Sequence, residues 1–335
     1  MAAAPQTDAF LHEEKAVFEG FSKAFVREAI HRSSENAVDR RRFLRAAGLT
    51  GLGVAGVAGG AVTLGGVAGA SDDGQDDGAV TDAAVLNFAL NLEYLEAEFY
   101  LRGVYGEGLE DDQIDGVGEL GQVTGGRRVE FESKLAEQYA REIAEDERAH
   151  VDFLRAALGE AGIARPAIDL VDAFTAAARA AGLVGADEEF DVFANEDNSL
   201  LGAFVFEDVG VTAYKGGAPL ITNRTFLEAA AGILAVEAYH AGIIRTVLLG
   251  KGLVEETQAI SDARDSLDGG DDLDQGIVDG DGNANLVPTD ANGIAFSRDV
   301  FQVHNIAYLT PEEAGSGGFF PNGTNGTFTT SGDQT

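Results

Sequence analysis

The chain contains no cysteine, and this absence narrows the chemistry that its side chains can perform. Without thiols there are no disulfides, no iron–sulfur clusters, no cysteine nucleophiles and no thiolate metal ligands. Any metal site must therefore be built from Asp, Glu and His side chains. The histidines of the whole chain are His12, His31, His150, His240 and His304.

Lysine is also scarce, since beyond residue 70 it occurs only at Lys134, Lys215 and Lys251. Asp and Glu number 57 against 23 Lys and Arg, which gives a formal net charge of −34. Such a surface repels nucleic-acid phosphates and anionic lipids, so no nucleic acid is expected as a partner. Because 45% of the residues are hydrophobic, we interpret the acidity as a coat over a folded core. The shortage of lysine suggests adaptation to high salt, where ions screen the repulsion.

Charged residues are absent from Ala46 to Ala70, directly after the basic run Arg40-Arg41-Arg42-Phe43-Leu44-Arg45. This pattern resembles a twin-arginine export signal, with small residues for cleavage after Ala70. We therefore interpret residues 1–70 as a leader and signal. This predicts the twin-arginine machinery as a partner and an extracytoplasmic location, either secreted or attached to the cell envelope. An uncleaved membrane anchor and a flexible linker are the alternatives, and only the anchor would give a stable membrane partner.

Apolar residues at helical spacing predict a bundle of four long helices within residues 81–250, after an acidic linker at 71–80. A long crossover, with a further helix of its own, separates the second and third helices. The Asp- and Gly-rich extension is expected to form loops packed on the bundle, with a flexible end. The fold class is all-α. The predicted bounds are about 82–102, 129–158, 198–214 and 225–249 for the four helices, 170–181 for the crossover helix and 251–335 for the extension.

Polar residues interrupt the apolar stripe of every predicted bundle helix, and they form a set. The second and fourth helices each carry a Glu-x-x-His pair, while the first and third each carry a single Glu. Buried charges need partners, and residues three apart share a helix face. This combination is the arrangement that builds a dinuclear metal–carboxylate site. The predicted metal ligands are Glu93, Glu147, His150, Glu207, Glu237 and His240.

Four carboxylates offset the charge of two divalent cations, which are the predicted cofactors. Oxygen and imidazole ligands without sulfur suit iron or manganese, with zinc as a further candidate. The pattern names metal ligands but no catalytic residue. His304 has no partner pattern and is expected to be structural or exposed.

The single glutamates of the first and third helices are each followed seven residues later by a tyrosine, Tyr100 and Tyr214. The chain thus contains an internal repeat of two helical hairpins. Both tyrosines are expected to donate hydrogen bonds to ligand carboxylates. The neighbouring Glu96 and Asp208 are alternatives to the single glutamates, but the tyrosine spacing favours the residues given above.

Four segments of the chain resemble a known family. They are residues 86–100, Glu145-Asp-Glu-Arg-Ala-His150, Val236-Glu-Ala-Tyr-His240 and residues 290–298. At these positions the chain resembles the ferritin-like superfamily, and more closely a branch that includes desiccation-related proteins. The resemblance implies a four-helix bundle with one long crossover and the six metal ligands. Members of the superfamily include iron-storing cages, oxidases, peroxide scavengers and manganese catalases. The long loop after the first helix and the long extension depart from compact iron-storage subunits.

We therefore expect an exported iron or manganese protein that acts on oxygen or peroxide, or handles the metal in stress protection. If it is an enzyme, it is an oxidoreductase of oxidase or catalase type. The alternative is a non-enzymatic desiccation- or stress-related structural protein of the cell envelope. Assembly into a homo-oligomer is compatible with either. Sequons for glycosylation begin at Asn223, Asn322 and Asn325.

Overall fold

The computed structural model describes residues 80–334, so the predicted leader, the export signal and most of the acidic linker lie outside the described residues. Helices dominate this part of the chain, accompanied by one short pair of parallel strands. In chain order the elements are α1 Asp82–Tyr105, α2 Asp111–Ile114, β1 Val123–Thr124, α3 Lys134–Leu158, β2 Ile168–Asp169, α4 Asp172–Ala180, α5 Glu196–Gly217, α6 Arg224–Lys251, α7 Val254–Asp268 and α8 Val300–Tyr308.

Each bundle helix begins at a side chain that satisfies a free backbone N–H of its first turn. Thr81 accepts from the N–H of Ala84 at α1, and Ser133 accepts from the N–H of Ala136 at α3. Asn195 and Asn223 serve α5 and α6 in the same way. At the other ends, α1 and α6 stop at glycines in the left-handed region.

The four long helices form two hairpins, in which α1 packs along α3 and α5 packs along α6. The helices α1 and α5 are buried on nearly all sides, whereas α3 and α6 each keep one face towards solvent. The crossover with α4 joins the two hairpins. The predicted fold class, an all-α ferritin-like bundle with a long crossover between the second and third helices, is confirmed.

The loop after α1 and the crossover are tied together by the strand pair β1–β2. The pairing is parallel, with Val123 opposite Ile168 and Thr124 opposite Asp169. A buried Arg165 continues this connection, since it donates to the carboxylate of Glu98 on α1. The long insertion after α1 is therefore an ordered cover along one side of the bundle.

The extension after residue 250 packs on the bundle and contains two helices, α7 and α8, where loops were predicted. For α7 the reason lies in its buried face, which consists mainly of polar residues: Thr257, Ile260, Ser261, Arg264 and Asp268. Such a face has no apolar period for sequence reasoning to detect.

Ion pairs accompany the apolar contact that Ile260 makes beneath α7. Arg298 and Asp268 are fully buried, and Arg298 Nε lies 2.6 Å from Asp268 Oδ2. Arg264 lies 2.5 Å from Asp274 and 3.2 Å from Asp208, a residue of α5. Removing one partner of a buried pair costs about 3–5 kcal/mol, so this network fixes the extension to the bundle.

Among the described residues, α6 is the one helix long and apolar enough to meet the criteria for a membrane span. Core helices of bundles meet the same criteria. In the fold α6 packs along α5 and directs Glu237, His240 and Arg245 into the protein interior.

Asn325 holds the end of the extension against both the loop and the crossover. Its Nδ2 donates to the backbone oxygens of Glu119 (2.8 Å) and Ala164 (2.9 Å), while its Oδ1 accepts from the N–H of Glu119. Asn91 of α1 completes the contact by donating to the backbone oxygen of Asn325. Asn322, by contrast, is exposed.

His304 of α8 is buried and structural. Its Nδ1 lies 2.7 Å from the backbone oxygen of Val300, and its Nε2 lies 3.1 Å from Thr324 Oγ1. Phe88 and Tyr308 pack on the ring. Burial lowers the pKa of His304 from its ordinary value of 6.5 to about 4, so the imidazole is neutral in the folded protein at neutral pH.

Acid should therefore destabilise the fold in part through His304. A pKa lowered by folding contributes stability above about pH 6.5 that is lost as the pH falls towards 4. From the size of the shift, that loss amounts to about 3 kcal/mol. Urea unfolding of His304→Asn between pH 4 and 7 should show a shallower pH dependence than the parent chain. Thr324→Ser retains the hydroxyl and should keep the parental slope, and equal slopes in all three proteins would contradict the assignment.

Candidate metal centre

The structure brings all six predicted ligands together in the middle of the bundle. Helix α1 supplies one glutamate, α5 supplies another, and α3 and α6 each supply a Glu-x-x-His pair. All six side chains are buried, with the four glutamates at most 1% exposed. They are Glu93, Glu147, His150, Glu207, Glu237 and His240.

The six residues form two overlapping groups that share Glu147 and Glu237. In each group one ligand atom per residue lies within 4.8 Å of the others. Glu93 and His150 complete the first group, which we call the His150 position. Glu207 and His240 complete the second, which we call the His240 position.

Both histidines present Nδ1 to carboxylates of the cluster, and both contact the shared Glu147. His150 Nδ1 lies 3.1 Å from Glu93 Oε2, 3.4 Å from Glu147 Oε2 and 3.6 Å from Glu237 Oε1. His240 Nδ1 lies 3.0 Å from Glu147 Oε1 and 3.6 Å from Glu207 Oε2. The two imidazole ring centres are 6.3 Å apart.

The two tyrosines of the internal repeat form hydrogen bonds that connect one hairpin to the other. Tyr100 of α1 donates to the carboxylate of Glu207 on α5, and Tyr214 of α5 donates to that of Glu93 on α1. Each hydroxyl thereby fixes the orientation of a glutamate on the facing helix. The sequence placed the two tyrosines at equivalent positions, and the structure adds that each bonds the glutamate of the other hairpin.

Burial shifts the pKa values of Glu93, Glu207 and Glu237 upwards. For Glu147 the effect of burial is outweighed by His150 and His240, which lower its pKa. Burial raises the pKa of Glu93 to about 7 and that of Glu207 to about 8, partly offset by the nearby histidines. Burial followed by repulsion from Glu147 raises the pKa of Glu237 well above its ordinary range. Charged carboxylates this close together are unstable without cations or protons between them.

The histidines are shifted in the direction of the charged form. Burial alone would lower the pKa of His240, but the carboxylates of Asp146, Glu147 and Glu207 raise it to about 10. Glu93 and Glu147 likewise raise the pKa of His150 well above its ordinary value. The protons on these groups occupy the places that a bound cation would take, so metal binding is expected to release protons.

The chemistry of the donor atoms fits metal binding. Glu207 Oε2 and both carboxylate oxygens of Glu237 are buried without a hydrogen-bond partner. Glu147 Oε1 and His240 Nδ1 face each other 3.0 Å apart but are not aligned for a hydrogen bond. Buried polar atoms are normally paired, so this concentration of unpaired acceptors is unusual. Oxygen and imidazole nitrogen are the ligands that iron, manganese and zinc accept.

Glu96 is a fifth buried carboxylate beside the cluster, but it belongs to neither group of four. It makes no hydrogen bond to any residue in the described part of the chain. Burial, with repulsion from Glu147 and Glu207, raises its pKa well above its ordinary value. At the equivalent position of the repeat, α5 carries Gly210. A Cβ there would collide with the Glu237 carboxylate and lie 3.5 Å from Glu96 Oε1.

Asp208, the other sequence alternative, lies outside the cluster. Its carboxylate accepts from Arg245 at 2.7 Å and from Arg264 at 3.2 Å. Sequence reasoning also missed Asp146, whose Oδ2 lies 3.1 Å from His240 Nε2. Its position directly before Glu147 was the available signal, because a ligating histidine normally donates its second N–H to a carboxylate or carbonyl.

A helical bundle that gathers four glutamates and two histidines at its buried centre has the architecture of the ferritin-like carboxylate proteins. Comparison with known sequences agrees with this class. The chain belongs to the ferritin-like domain family, whose match spans residues 81–250.

Two similar proteins extend the comparison beyond the bundle. The chain is 29% identical over 233 residues to the desiccation-related protein PCC13-62 of Craterostigma plantagineum. The aligned region covers 64% of this chain and 74% of the relative. It is also 26% identical over 265 residues to the ferritin-like catalase Nec2 of Nesocodon mauritianus. This aligned region covers 72% of this chain and 83% of the relative.

Replacing Gly210 should disturb the centre without unfolding the bundle. In Gly210→Ala the new methyl group would occupy the space of the Glu237 carboxylate, and we expect about a tenfold or greater loss of metal affinity. Gly232→Ala on α6 is the matched control, because a Cβ there meets nothing within 4 Å. It should bind metal normally and gain about 0.5–1 kcal/mol of stability. Equal metal affinity in both variants, measured by calorimetry, would contradict this account.

Proposed function

We propose that this protein is an exported dinuclear iron or manganese protein that decomposes hydrogen peroxide. The observation that carries the proposal is the pair of four-residue groups sharing Glu147 and Glu237, with unpaired donor atoms between them. Catalase chemistry is supported by the similarity to a protein named as a ferritin-like catalase. Oxygen is the second substrate to test at the same centre.

The ligand set follows from the two groups. Glu93 and His150 would hold one ion and Glu207 and His240 the other, while Glu147 and Glu237, which both groups contain, would contribute carboxylate oxygens to both. Four carboxylates balance two divalent charges and remove the repulsion described above. When bound, the ions would supply Lewis acidity and reversible electron transfer.

The remaining side chains have roles that do not depend on the identity of the metal. Tyr100 and Tyr214 orient Glu207 and Glu93 through their hydroxyl groups. Burial, with repulsion from Glu147 and Glu207, raises the pKa of Glu96 and so favours its protonated form. Its carboxyl group can exchange that proton with a peroxide oxygen. The apolar residues packed around these groups exclude bulk water from the centre.

Metal content and turnover test the proposal together. The purified chain loaded with iron or manganese should contain about two ions and evolve oxygen from hydrogen peroxide. Glu147→Gln removes a charge from a glutamate that both groups share, and we expect about a 100-fold or greater loss of activity together with reduced metal content. Glu142→Gln changes an exposed residue of the same helix and should be unaffected. A folded, metal-free parent chain without turnover would contradict the proposal.

A non-enzymatic role in desiccation or stress is the second candidate, because the other similar protein is named as desiccation-related. In that role the ions would serve stability only. The double variant Glu147→Ala/His150→Ala separates the two readings. If the parent chain binds metal but neither it nor the variant consumes peroxide or oxygen, the structural role is favoured.

Export is the part of the proposal that depends on residues outside the described range. The basic run at residues 40–42 followed by an uncharged segment supports the twin-arginine route. Changing all three arginines to lysine keeps the charge but removes the arginine pair, so most of the protein should remain inside the cell. Immunoblotting of cell fractions measures the distribution. Unchanged export of the lysine variant would contradict the twin-arginine assignment.

A further inference from the structure

The centre is built from two hairpins that carry equivalent residues, so departures from equivalence are informative. Glu-Tyr on α1 matches Glu-Tyr on α5, and Glu-x-x-His on α3 matches Glu-x-x-His on α6. The contacts match as well, because each tyrosine bonds the glutamate of the other hairpin. With full symmetry, the two metal positions would have equal affinities.

The two hairpins differ in the residues next to the Nε2 atoms of His150 and His240. Asp146 directly precedes Glu147 on α3, and its Oδ2 lies 3.1 Å from His240 Nε2 on α6. The corresponding residue before Glu237 is Val236, whose side chain offers no acceptor. His150 Nε2 accordingly has no hydrogen-bond partner among residues 80–334.

The carboxylate behind His240 affects metal binding through the imidazole. By accepting the Nε2–H, Asp146 fixes the tautomer that leaves the Nδ1 lone pair free for a ligand. It also holds the ring plane and makes the nitrogen more basic. Partners of this kind are typically worth 10- to 100-fold in metal affinity. His150 lacks such a partner, and its side chain is 10% exposed against 3% for His240.

We infer that the two metal positions are inequivalent: the His240 position, supported by Asp146, binds its ion more tightly and fills first. The His150 position is the weaker one and exchanges its ion more readily. Asp146 is thus a positioning residue that acts through His240. This inference rests on the proposed two-ion centre, and it concerns the order and strength of binding at that centre.

Stepwise binding of Co²⁺ to the chelated, folded full chain tests the inference. Calorimetry measures the affinities, and the visible d–d absorption of Co²⁺ reports the ligand field of each step. The parent chain should show two steps separated by about 10- to 100-fold. Asp146→Asn should weaken the first step by the same factor and alter its absorption spectrum, whereas Asp146→Glu should restore both.

Two further variants separate a local effect from a general one. Val236→Asp should supply the missing partner of His150 and strengthen the second step, so that the two steps converge. Asp152→Asn changes an exposed aspartate of the same helix that accepts from Gln113, and it should leave both steps unchanged. Circular dichroism verifies that each variant is folded.

The outcomes distinguish this inference from the proposed function. Two equal steps in the parent chain, or unchanged affinities in Asp146→Asn, would overturn the inequivalence while leaving a two-ion centre in place. The absence of any Co²⁺ binding by the folded parent chain would overturn the centre and the inference together.

Discussion

Mutual repulsion among buried carboxylates is the constraint on which the rest of the structure depends. The four glutamates and Glu96 share an interior from which water is largely excluded, so water cannot solvate their charges. Without metal cations, protons reduce this repulsion, and burial raises the pKa values of Glu93 and Glu207 accordingly. A bundle that concentrates negative charge in this way is preorganised for positive ions.

The remainder of the fold keeps that cluster dry and fixed. The long loop, the crossover and the extension cover α1 and α5, so both helices are buried on almost every side. The extension is attached both through arginine–aspartate pairs and through apolar residues that join the core, among them Ile260, Val303 and Phe319. In a chain with 57 acidic residues, buried arginines use abundant carboxylates as their partners. Arginine–carboxylate pairs are therefore a means of burying contacts that suits a chain rich in acidic residues.

The sequence predicted the four bundle helices to within about five residues at each end, because apolar period and capping residues agree there. It also identified the six candidate ligands, because charged residues within an apolar helical stripe stand out from the hydrophobic pattern. The role of α7 was not predictable from period, because its buried face is polar. Asp146 and Gly210 were missed for a different reason: their importance depends on what faces them from another helix.

Asymmetry within a repeated framework is the most informative feature of the centre. The repeat supplies two near-identical sets of ligands, and the substitutions Asp146 for Val236 and Glu96 for Gly210 then make the halves different. Both substitutions leave the ligand set itself intact. A repeated fold can thus acquire two distinct halves through residues that never touch a metal.

The position of Asn325 has a consequence for covalent modification. Its Nδ2, the atom to which a glycan would be attached, already donates to the backbone oxygens of Glu119 and Ala164. Folding and glycosylation therefore compete for one nitrogen. A chain that folds before it crosses the membrane would carry an unmodified Asn325, with the exposed Asn322 still accessible. The sugar pattern of this extension would then record which event came first.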